Sequence, residues 1–333
     1  VKMADLDFDA IAEYLTSRTE HRPRIGIICG SGLAHLSNSL ENPTTFKYED
    51  IPSFPSTTVQ GHTGELVFGT LHGQTVVCMR GRFHSYEGHD MALVGMPCRV
   101  FAVLGVEILI VTNAAGGLNP DFTIGDVVVL SDHISFPGLA GRHPLVGPNL
   151  ERFGPRFPSL SDAYDRRLQQ LAVHTARELE YDSFTRTRGI YSFVSGPTYE
   201  TPTESKLLRM VGGDVVGMST IPEVVTAKHA GLRILGLSLV TNKVVLPGDT
   251  VTQAASHAEV LANVKARTVQ IETLVKAIVG NMTKLDEMPD ELPPANGEIA
   301  ARAAAEKREG SRKRIFALGA LVLGGFVASR WLK

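Results

Sequence analysis

The hydrophobic residues of this chain fall into short runs of strand length, and segments with helical spacing lie between them. Runs of this kind are IGIIC, GELVFGTL, VEILIVTN, GDVVVL, GIYSFV, GDVVGM and LRILGLSLVTN. A long helix is predicted from about Thr252 to Met282. Apolar strands that alternate with helices are typical of α/β proteins whose sheet is covered on both faces. The pattern therefore predicts an α/β fold with a largely parallel or mixed central β-sheet flanked by helices.

The segment from Ser135 to Asp162 does not follow this alternation, because it is rich in proline and glycine and has no period. Structureless segments of this length are uncommon inside a compact domain. Its apolar residues, among them Phe136, Phe153 and Phe157, argue against simple disorder. We expect the segment to pack against another surface, such as a second subunit.

The C-terminal part of the chain differs in composition from the body. Residues 285–314 form a linker rich in charge, alanine and proline, after a catalytic unit at 1–284. The uncharged run from Ile315 to Ser329 is slightly short for a bilayer core, which needs about 20 residues, but basic residues flank it and Trp331 follows it. Residues 315–332 are predicted to be a transmembrane tail anchor on an organelle membrane, facing the cytosol. A helix docked on the protein itself or on a partner is the alternative.

Composition limits the classes of function that the body can have. The 43% of hydrophobic residues and 20% of charged residues describe an ordinary globular protein. The formal net charge of -2 argues against a nucleic-acid partner. Three well-separated cysteines indicate reduced thiols in the cytosol. With no N-terminal signal peptide visible, these features predict a cytoplasmic globular body.

The stretch RGRFHSYEGH concentrates hydrogen-bonding side chains. Arg82, His84 and Tyr86 recur with a period of two, which places them on one face of an extended segment. An arginine on such a face can bind a phosphate with two parallel hydrogen bonds. A solvated polar loop is the alternative explanation.

Three loops that follow apolar strands could complete a phosphate site. They are Gly30–Ser31–Gly32, the segment NAAGGLN from Asn113, and the segment GMST that contains Ser219. Small residues allow backbone N–H groups to approach an anion, and the serines add hydroxyl donors. Each loop alone is equally well explained as a tight turn.

Two polar residues at strand ends suit a purine base. Glu200 follows Tyr199, and Asn242 ends the strand LSLVTN. A carboxylate only accepts hydrogen bonds, whereas an amide both donates and accepts. The pair would match a 6-oxopurine, with Glu200 accepting from N1–H and Asn242 binding N7 and O6. A helix-terminal acid and a turn residue remain the simpler alternatives.

An ordered series of motifs resembles the trimeric, low-molecular-mass class of purine nucleoside phosphorylases. The similarity extends from about Ile25 to Met282 and is carried by CGSGL, QGHTGEL, RGRFHSYEG, VTNAAGGLNP, NLERFGPRFPSLSDAYD, SGPTYETPTE, VGMSTIPEV and LSLVTNKV. The resemblance implies the mixed-sheet fold of the nucleoside phosphorylase superfamily. It also implies a homotrimer with active sites near the subunit boundaries.

The resemblance assigns roles to residues of this chain. The implied phosphate site consists of Ser31, His62, Arg82, His84, Ala114 and Ser219. The implied ribose contacts are Tyr86, Met218, His257 and, from a neighbouring subunit, Phe157. The implied purine site consists of Gly116, Tyr199, Glu200, Val216, Asn242 and Val244. Asn242, Glu200 and His84 are the implied catalytic residues.

The implied reaction is the reversible phosphorolysis of inosine, guanosine and their 2′-deoxy forms to free base and pentose 1-phosphate. Phosphate is a co-substrate, and we expect neither a metal nor an organic cofactor. Two alternatives are a methylthioadenosine phosphorylase, which would need an acid at Asn242, and an inactive membrane-tethered scaffold. The chain departs from the family at Tyr199, where phenylalanine is frequent, and in the gate region from Lys243 to His257.

Overall fold

The computed structural model describes residue 3 and residues 6–30, 34–59, 63–249 and 257–296. The chain divides into two units, Val1–Pro293 and Pro294–Lys333, and the elements below lie in the first. The helices are α1 (Phe8–Thr16), α2 (Met91–Val103), α3 (Phe136–Leu139), α4 (Arg166–Glu178), α5 (Pro202–Met210), α6 (Ile221–His229) and α7 (His257–Gly280). The strands are β1 (Ile25–Cys29), β2 (Glu41–Lys47), β3 (Glu65–Leu71), β4 (Gln74–Arg80), β5 (Ile108–Gly117), β6 (Val127–Ser135), β7 (Thr185–Phe193), β8 (Val215–Gly217) and β9 (Arg233–Lys243).

The strands form one mixed sheet in the order β2-β3-β4-β1-β5-β8-β7-β6-β9. β5 also pairs with β9, so strands β5 to β9 close into a ring beside the open part of the sheet. β1 is parallel to β4 and β5, and β5 is parallel to β9, so the C-terminal ends of these four strands meet at one edge. In α/β sheets ligands bind outside such an edge.

Local sequence explains where the helices around this sheet begin. The Asp7 side chain caps α1 by accepting from the N–H groups of Asp9 and Ala10, and Thr201 with Glu204 forms a capping box at α5. Helix α2 packs closely on α6 at Gly95. A Cβ added at this glycine would lie only 2.8 Å from the carbonyl oxygen of Pro222, so no larger residue fits there. Such close packing holds the start of α6 in place at the edge of the sheet.

The predicted mixed-sheet α/β architecture is confirmed. After the predicted Gly-Ser-Gly loop, Ala34–Ser39 forms a 3₁₀ helix whose Ser37 and Asn38 side chains accept hydrogen bonds from Arg80. The glycine-rich segment after Asn113 was predicted as a loop, but β5 continues to Gly117 because it pairs there with β8 and β9.

The predicted tail anchor at 315–332 lies outside the described residues. Within the described ranges, no helix has the length and apolar character needed to cross a membrane. The long segment from Ser135 to Asp162 is packed rather than extended, with the one-turn helix α3 at its start. Its residues Leu145, Leu150 and Phe153 pack on the main core.

Candidate active site

One cavity at the edge of the sheet gathers residues from most of the segments with candidate chemistry. The predicted residues that line it are Arg82, His84, Tyr86, Ala114, Gly116, Tyr199, Glu200, Val216, Met218, Ser219 and Asn242. Among the described residues, Gly30, Val59, Asn113, Ala115, Gly217, Thr241 and Val260 also line it. Arg82, His84 and Ser219 supply the donors that suit an anion, and Glu200 and Asn242 supply the groups that suit a purine base.

Arg82 is a buried charge with a fixed orientation. Its side chain is 1% exposed, and Nη1 donates to Thr220 Oγ1 at 3.0 Å and to Glu223 Oε1 at 3.3 Å. Nη2 donates to the carbonyl oxygen of Thr112 on β5. Three partners on two elements hold the guanidinium in place, so a ligand meets an arginine that is already oriented.

His84 lies beside Arg82 and is held by an acid. Its Nδ1 is 3.0 Å from Glu87 Oε1, which also accepts from the His84 backbone N–H at 2.9 Å. Burial raises the pKa of Glu87, but hydrogen bonds from His84 and Thr58 outweigh it and lower this pKa to about 2. Because the ionised Glu87 can only accept, Nδ1 carries the proton.

Burial also fixes the charge state of His84. It lowers the pKa of the imidazole by more than the hydrogen bond to Glu87 raises it. The ring is therefore neutral at pH 7, with its lone pair on Nε2. It stacks on Tyr86, with ring centroids 4.6 Å apart and planes inclined by 15°. These contacts align the two rings along one wall of the cavity.

The corner between β8 and α6 places Ser219 in the cavity. Thr220 has φ 77° and ψ -46°, and the N–H of Ile221 donates to the Ser219 carbonyl at 2.9 Å. This is the geometry of a γ-turn, which is rare and strained. The backbone N–H of Ser219 donates to the hydroxyl of Tyr191 at 3.4 Å, and burial raises the pKa of Tyr191 to about 12.

The first glycine of the predicted Gly-Ser-Gly loop is needed because two backbones approach closely. A Cβ at Gly30 would lie 2.7 Å from the carbonyl oxygen of Thr112. The N–H of Gly30 donates to Thr112 Oγ1 at 3.0 Å, and that hydroxyl donates to the Ile28 carbonyl. The end of β1 is thereby held against β5, next to Asn113 and Ala114.

A β-bulge directs Asn242 toward the cavity. In the pairing of β5 with β9, Ala115 opposes Val240 and Gly116 opposes Asn242, so Thr241 is the extra residue. Bulges redirect side chains and occur frequently beside active sites. Here the bulge lets two consecutive residues, Thr241 and Asn242, both line the cavity.

Thr241 also fixes the orientation of the Asn242 amide. Its hydroxyl oxygen is 3.1 Å from Asn242 Oδ1, the nearer of its two acceptors, and 3.3 Å from the Ala115 carbonyl oxygen, while the Thr241 carbonyl accepts from Asn263 Nδ2 at 2.7 Å. Because Oδ1 faces the Thr241 hydroxyl, the amide nitrogen of Asn242 points away from Thr241. Glu200 also lines the cavity, and its pKa is raised, chiefly by burial.

Five predicted site residues are not seen to line the cavity. Ser31 and His62 lie outside the described residues, and of His257 the structure describes only its place as the first residue of α7. Val244 lies behind the cavity wall, where its Cγ1 is 3.2 Å from a Cβ added at Gly116. Phe157 is 89% exposed and projects from the surface.

Sequence reasoning missed several residues that hold the site together. Thr220, Glu223, Glu87 and Thr241 all contact side chains of the cavity. Glu223 and Thr220 are present in the motif VGMSTIPEV, but their spacing resembles an ordinary helix N-terminus, where threonine and glutamate are frequent. In the part of the chain that the structure describes, no group of three or more His, Cys, Asp or Glu could hold a metal ion.

Several known proteins are similar to this chain over most of its length. Residues 24–280 match the family model described as the phosphorylase superfamily. The chain is 51% identical over 273 residues to the purine nucleoside phosphorylase of Rattus norvegicus, covering 82% of this chain and 94% of that protein. It is similar to the schistosoma purine nucleoside phosphorylase solved with hypoxanthine, with 46% identity, a TM-score of 0.79 and coverage of 83% and 96%. The chain is also similar to the Schistosoma mansoni purine nucleoside phosphorylase solved with inosine. The sequence identity is 47% and the TM-score is 0.79, and the match covers 82% of this chain and 95% of that one.

Proposed function

The chain belongs to the phosphorylase superfamily, and we propose that its cavity carries out phosphorolysis on 6-oxopurine nucleosides. The general activity, cleavage of purine nucleosides by phosphate, follows from about half identity to purine nucleoside phosphorylases over nearly their whole length. The 6-oxo preference rests on one observation. An amide at Asn242 and a carboxylate at Glu200 line the same cavity.

At the anion end, phosphate would bind between Arg82, His84 and Ser219. Cleavage of the N9–C1′ bond leaves the electron pair on the purine and positive charge on the ribose. A phosphate oxygen held beside C1′ stabilises this cation and then bonds to it, which gives pentose 1-phosphate. Holding both reactants in one geometry can lower the barrier by about 7–11 kcal/mol.

At the purine end, Asn242 would donate to N7 as negative charge develops on the leaving base. The hydroxyl of Thr241 on Asn242 Oδ1 directs the amide nitrogen to this task before the substrate arrives. A preorganised donor of this kind is commonly worth about 2.7–4 kcal/mol of barrier. Glu200 would accept from N1–H, and its burial strengthens that hydrogen bond because water is excluded.

The test is release of hypoxanthine from inosine by the purified protein, with and without phosphate. We expect phosphate-dependent release, with adenosine nearly inert. Asn242→Ala and Glu200→Ala should each remove most of the turnover, by roughly a hundredfold or more. Glu204→Ala is the matched control, because Glu204 caps α5 and does not line the cavity. Near-normal turnover in either site variant would refute the assignment.

We further propose that the protein works as a homotrimer with Phe157 contributed to a neighbouring site. Phe157, Leu139 and Val146 are exposed apolar residues of one segment, with exposures of 89%, 80% and 67%. Exposed apolar residues in one segment suit a contact with a second copy of the chain. Light scattering would measure the assembly, and Phe157→Ala should raise KM for the nucleoside. A monomer with the same KM in that variant would contradict the proposal.

Two further parts of the proposal concern the environment of the enzyme. The reaction needs phosphate as co-substrate and no cofactor, so a chelator should leave the rate unchanged. Residues 315–332 would anchor the assembly on a membrane, where three tails act together. Fractionation of cells that express the full chain or the chain ending at Pro293, where the first unit ends, measures this. Equal distribution of the two between membrane and supernatant would contradict the anchor.

A further inference from the structure

Thr220 lies directly behind the anion end of the cavity. It has no exposed surface and does not line the cavity itself. Its hydroxyl oxygen is 3.0 Å from Arg82 Nη1, 3.0 Å from Asn113 Nδ2 and 3.2 Å from Ser219 Oγ. All three of these partners do line the cavity. One buried hydroxyl therefore connects three residues of the site.

The number of donors and acceptors decides the direction of these hydrogen bonds. A threonine hydroxyl has one hydrogen and two lone pairs. Arg82 can only donate, and the amide nitrogen assigned to Asn113 also donates, so both lone pairs are occupied. The single hydrogen of Thr220 is then given to Ser219 Oγ. The hydrogen of Ser219 cannot point back toward Thr220 and is available to a ligand in the cavity.

We propose that Thr220 is a positioning residue for phosphate, which orients the Arg82 guanidinium and directs the Ser219 O–H into the cavity. The inference rests on the proposed function, in which this end of the cavity binds phosphate. Thr220 touches neither substrate nor reacting atoms, so it acts only through the residues that do. Loss of its oxygen would weaken phosphate binding and leave nucleoside binding intact.

The backbone at Thr220 supports this role. A β-branched residue at φ 77° is a strained choice, and such strain persists where the surrounding structure determines it. The γ-turn closed by Ile221 N–H and the Ser219 carbonyl holds the residue in this conformation. Strained residues concentrate at functional sites. The strain here coincides with the hydroxyl that contacts Arg82 and Ser219.

The test compares Thr220→Val with Thr220→Ser. Valine has the shape and the β-branch of threonine without the oxygen, whereas serine keeps the oxygen without the branch. A hydrogen bond to a charged group contributes more free energy than one between neutral groups. We therefore expect KM for phosphate to rise roughly ten- to a hundredfold in Thr220→Val. KM for inosine should change by less than about threefold, and Thr220→Ser should restore the KM for phosphate to near the wild-type value.

Thr226→Val is the matched control. Thr226 is equally buried on α6, and within the described residues its hydroxyl has no hydrogen-bond partner. This variant should leave both KM values unchanged. If Thr220→Val does not fold, Thr220→Ala, which also lacks the oxygen, provides the same comparison with Thr220→Ser.

Three outcomes would overturn the inference. The first is an equal rise of both KM values in Thr220→Val, which would indicate a general structural role. The second is an unchanged KM for phosphate, and the third is a failure of Thr220→Ser to restore it. A wild-type protein without phosphate-dependent activity would instead refute the proposed function, and that result appears before any variant is made.

Discussion

Replacing Glu223 by glutamine removes a negative charge from behind the cavity and keeps the size of the side chain. Glu223 and Arg82 are each 1% exposed, and Arg82 Nη1 is 3.3 Å from Glu223 Oε1. The second carboxylate oxygen, Oε2, has no hydrogen-bond partner among the described residues. Glutamine can still accept from Arg82, so the substitution changes mainly the charge.

The distance gives the size of the effect. Two unit charges 3.3 Å apart attract by about 5 kcal/mol at an effective dielectric constant of about 20. Removing one partner of a buried pair commonly costs about 3–5 kcal/mol, because the other charge is left uncompensated. We therefore expect Glu223→Gln to lower the free energy of unfolding by about 3–5 kcal/mol in the absence of phosphate.

Phosphate should recover part of this loss. In the wild type, Arg82 is already balanced by Glu223, whereas in the variant its whole charge is available to the phosphate. A tenfold lower Kd for phosphate in the variant would return about 1.4 kcal/mol of stability at saturation. Phosphate should thus raise the unfolding temperature more in Glu223→Gln than in the wild type.

The assay is thermal and denaturant-induced unfolding of the wild type and the variant, with and without saturating phosphate. Asp126→Asn is the control, because Asp126 is also 1% exposed and pairs with Arg186 at 2.8 Å. Asp126 does not line the cavity, so the loss of unfolding free energy in Asp126→Asn should not depend on phosphate. If the loss in Glu223→Gln is the same with and without phosphate, the reasoning about charge balance is refuted.

Two further predictions concern selectivity and pH. Asn242→Asp replaces an amide that donates by a carboxylate that only accepts, so release of base from inosine should fall and release from adenosine should rise; a parallel fall for both nucleosides would contradict the assignment. Burial lowers the pKa of His84 and of His229 below the unfolded value of about 6.5. The unfolded chain therefore binds protons first as pH falls below about 6.5, and the free energy of unfolding should fall by at most about 1.4 kcal/mol per pH unit for each such histidine. His229→Gln should flatten this dependence, and an unchanged slope would show that other groups cause it.

Most strands could be predicted from the sequence, because buried parallel strands are apolar throughout. Ser219, Glu200 and Asn242 could be predicted because ligand groups follow the ends of such strands, whereas Val216 and Met218 were assigned only through the resemblance to the family. The strand β2 could not be predicted, since its residues ENPTTFK are mostly exposed and carry a proline. The bulge at Thr241 left no signal either, because register depends on the pairing of β5 with β9. The positive φ of Thr220 could not be predicted either, since a β-branched residue such as threonine rarely adopts it.

The charges around the anion end explain why neutral donors matter there. Arg82 is balanced by Glu223, and His84 is neutral beside an ionised Glu87. An incoming phosphate therefore meets little net positive charge, and its affinity must depend on how well the donors are directed. A moderate affinity suits a reversible reaction, because a site that held phosphate too tightly would also retain pentose 1-phosphate. The hydroxyl of Thr220 therefore sets the affinity for phosphate by orienting the donors of the site, whereas an additional cation would have raised that affinity by its charge.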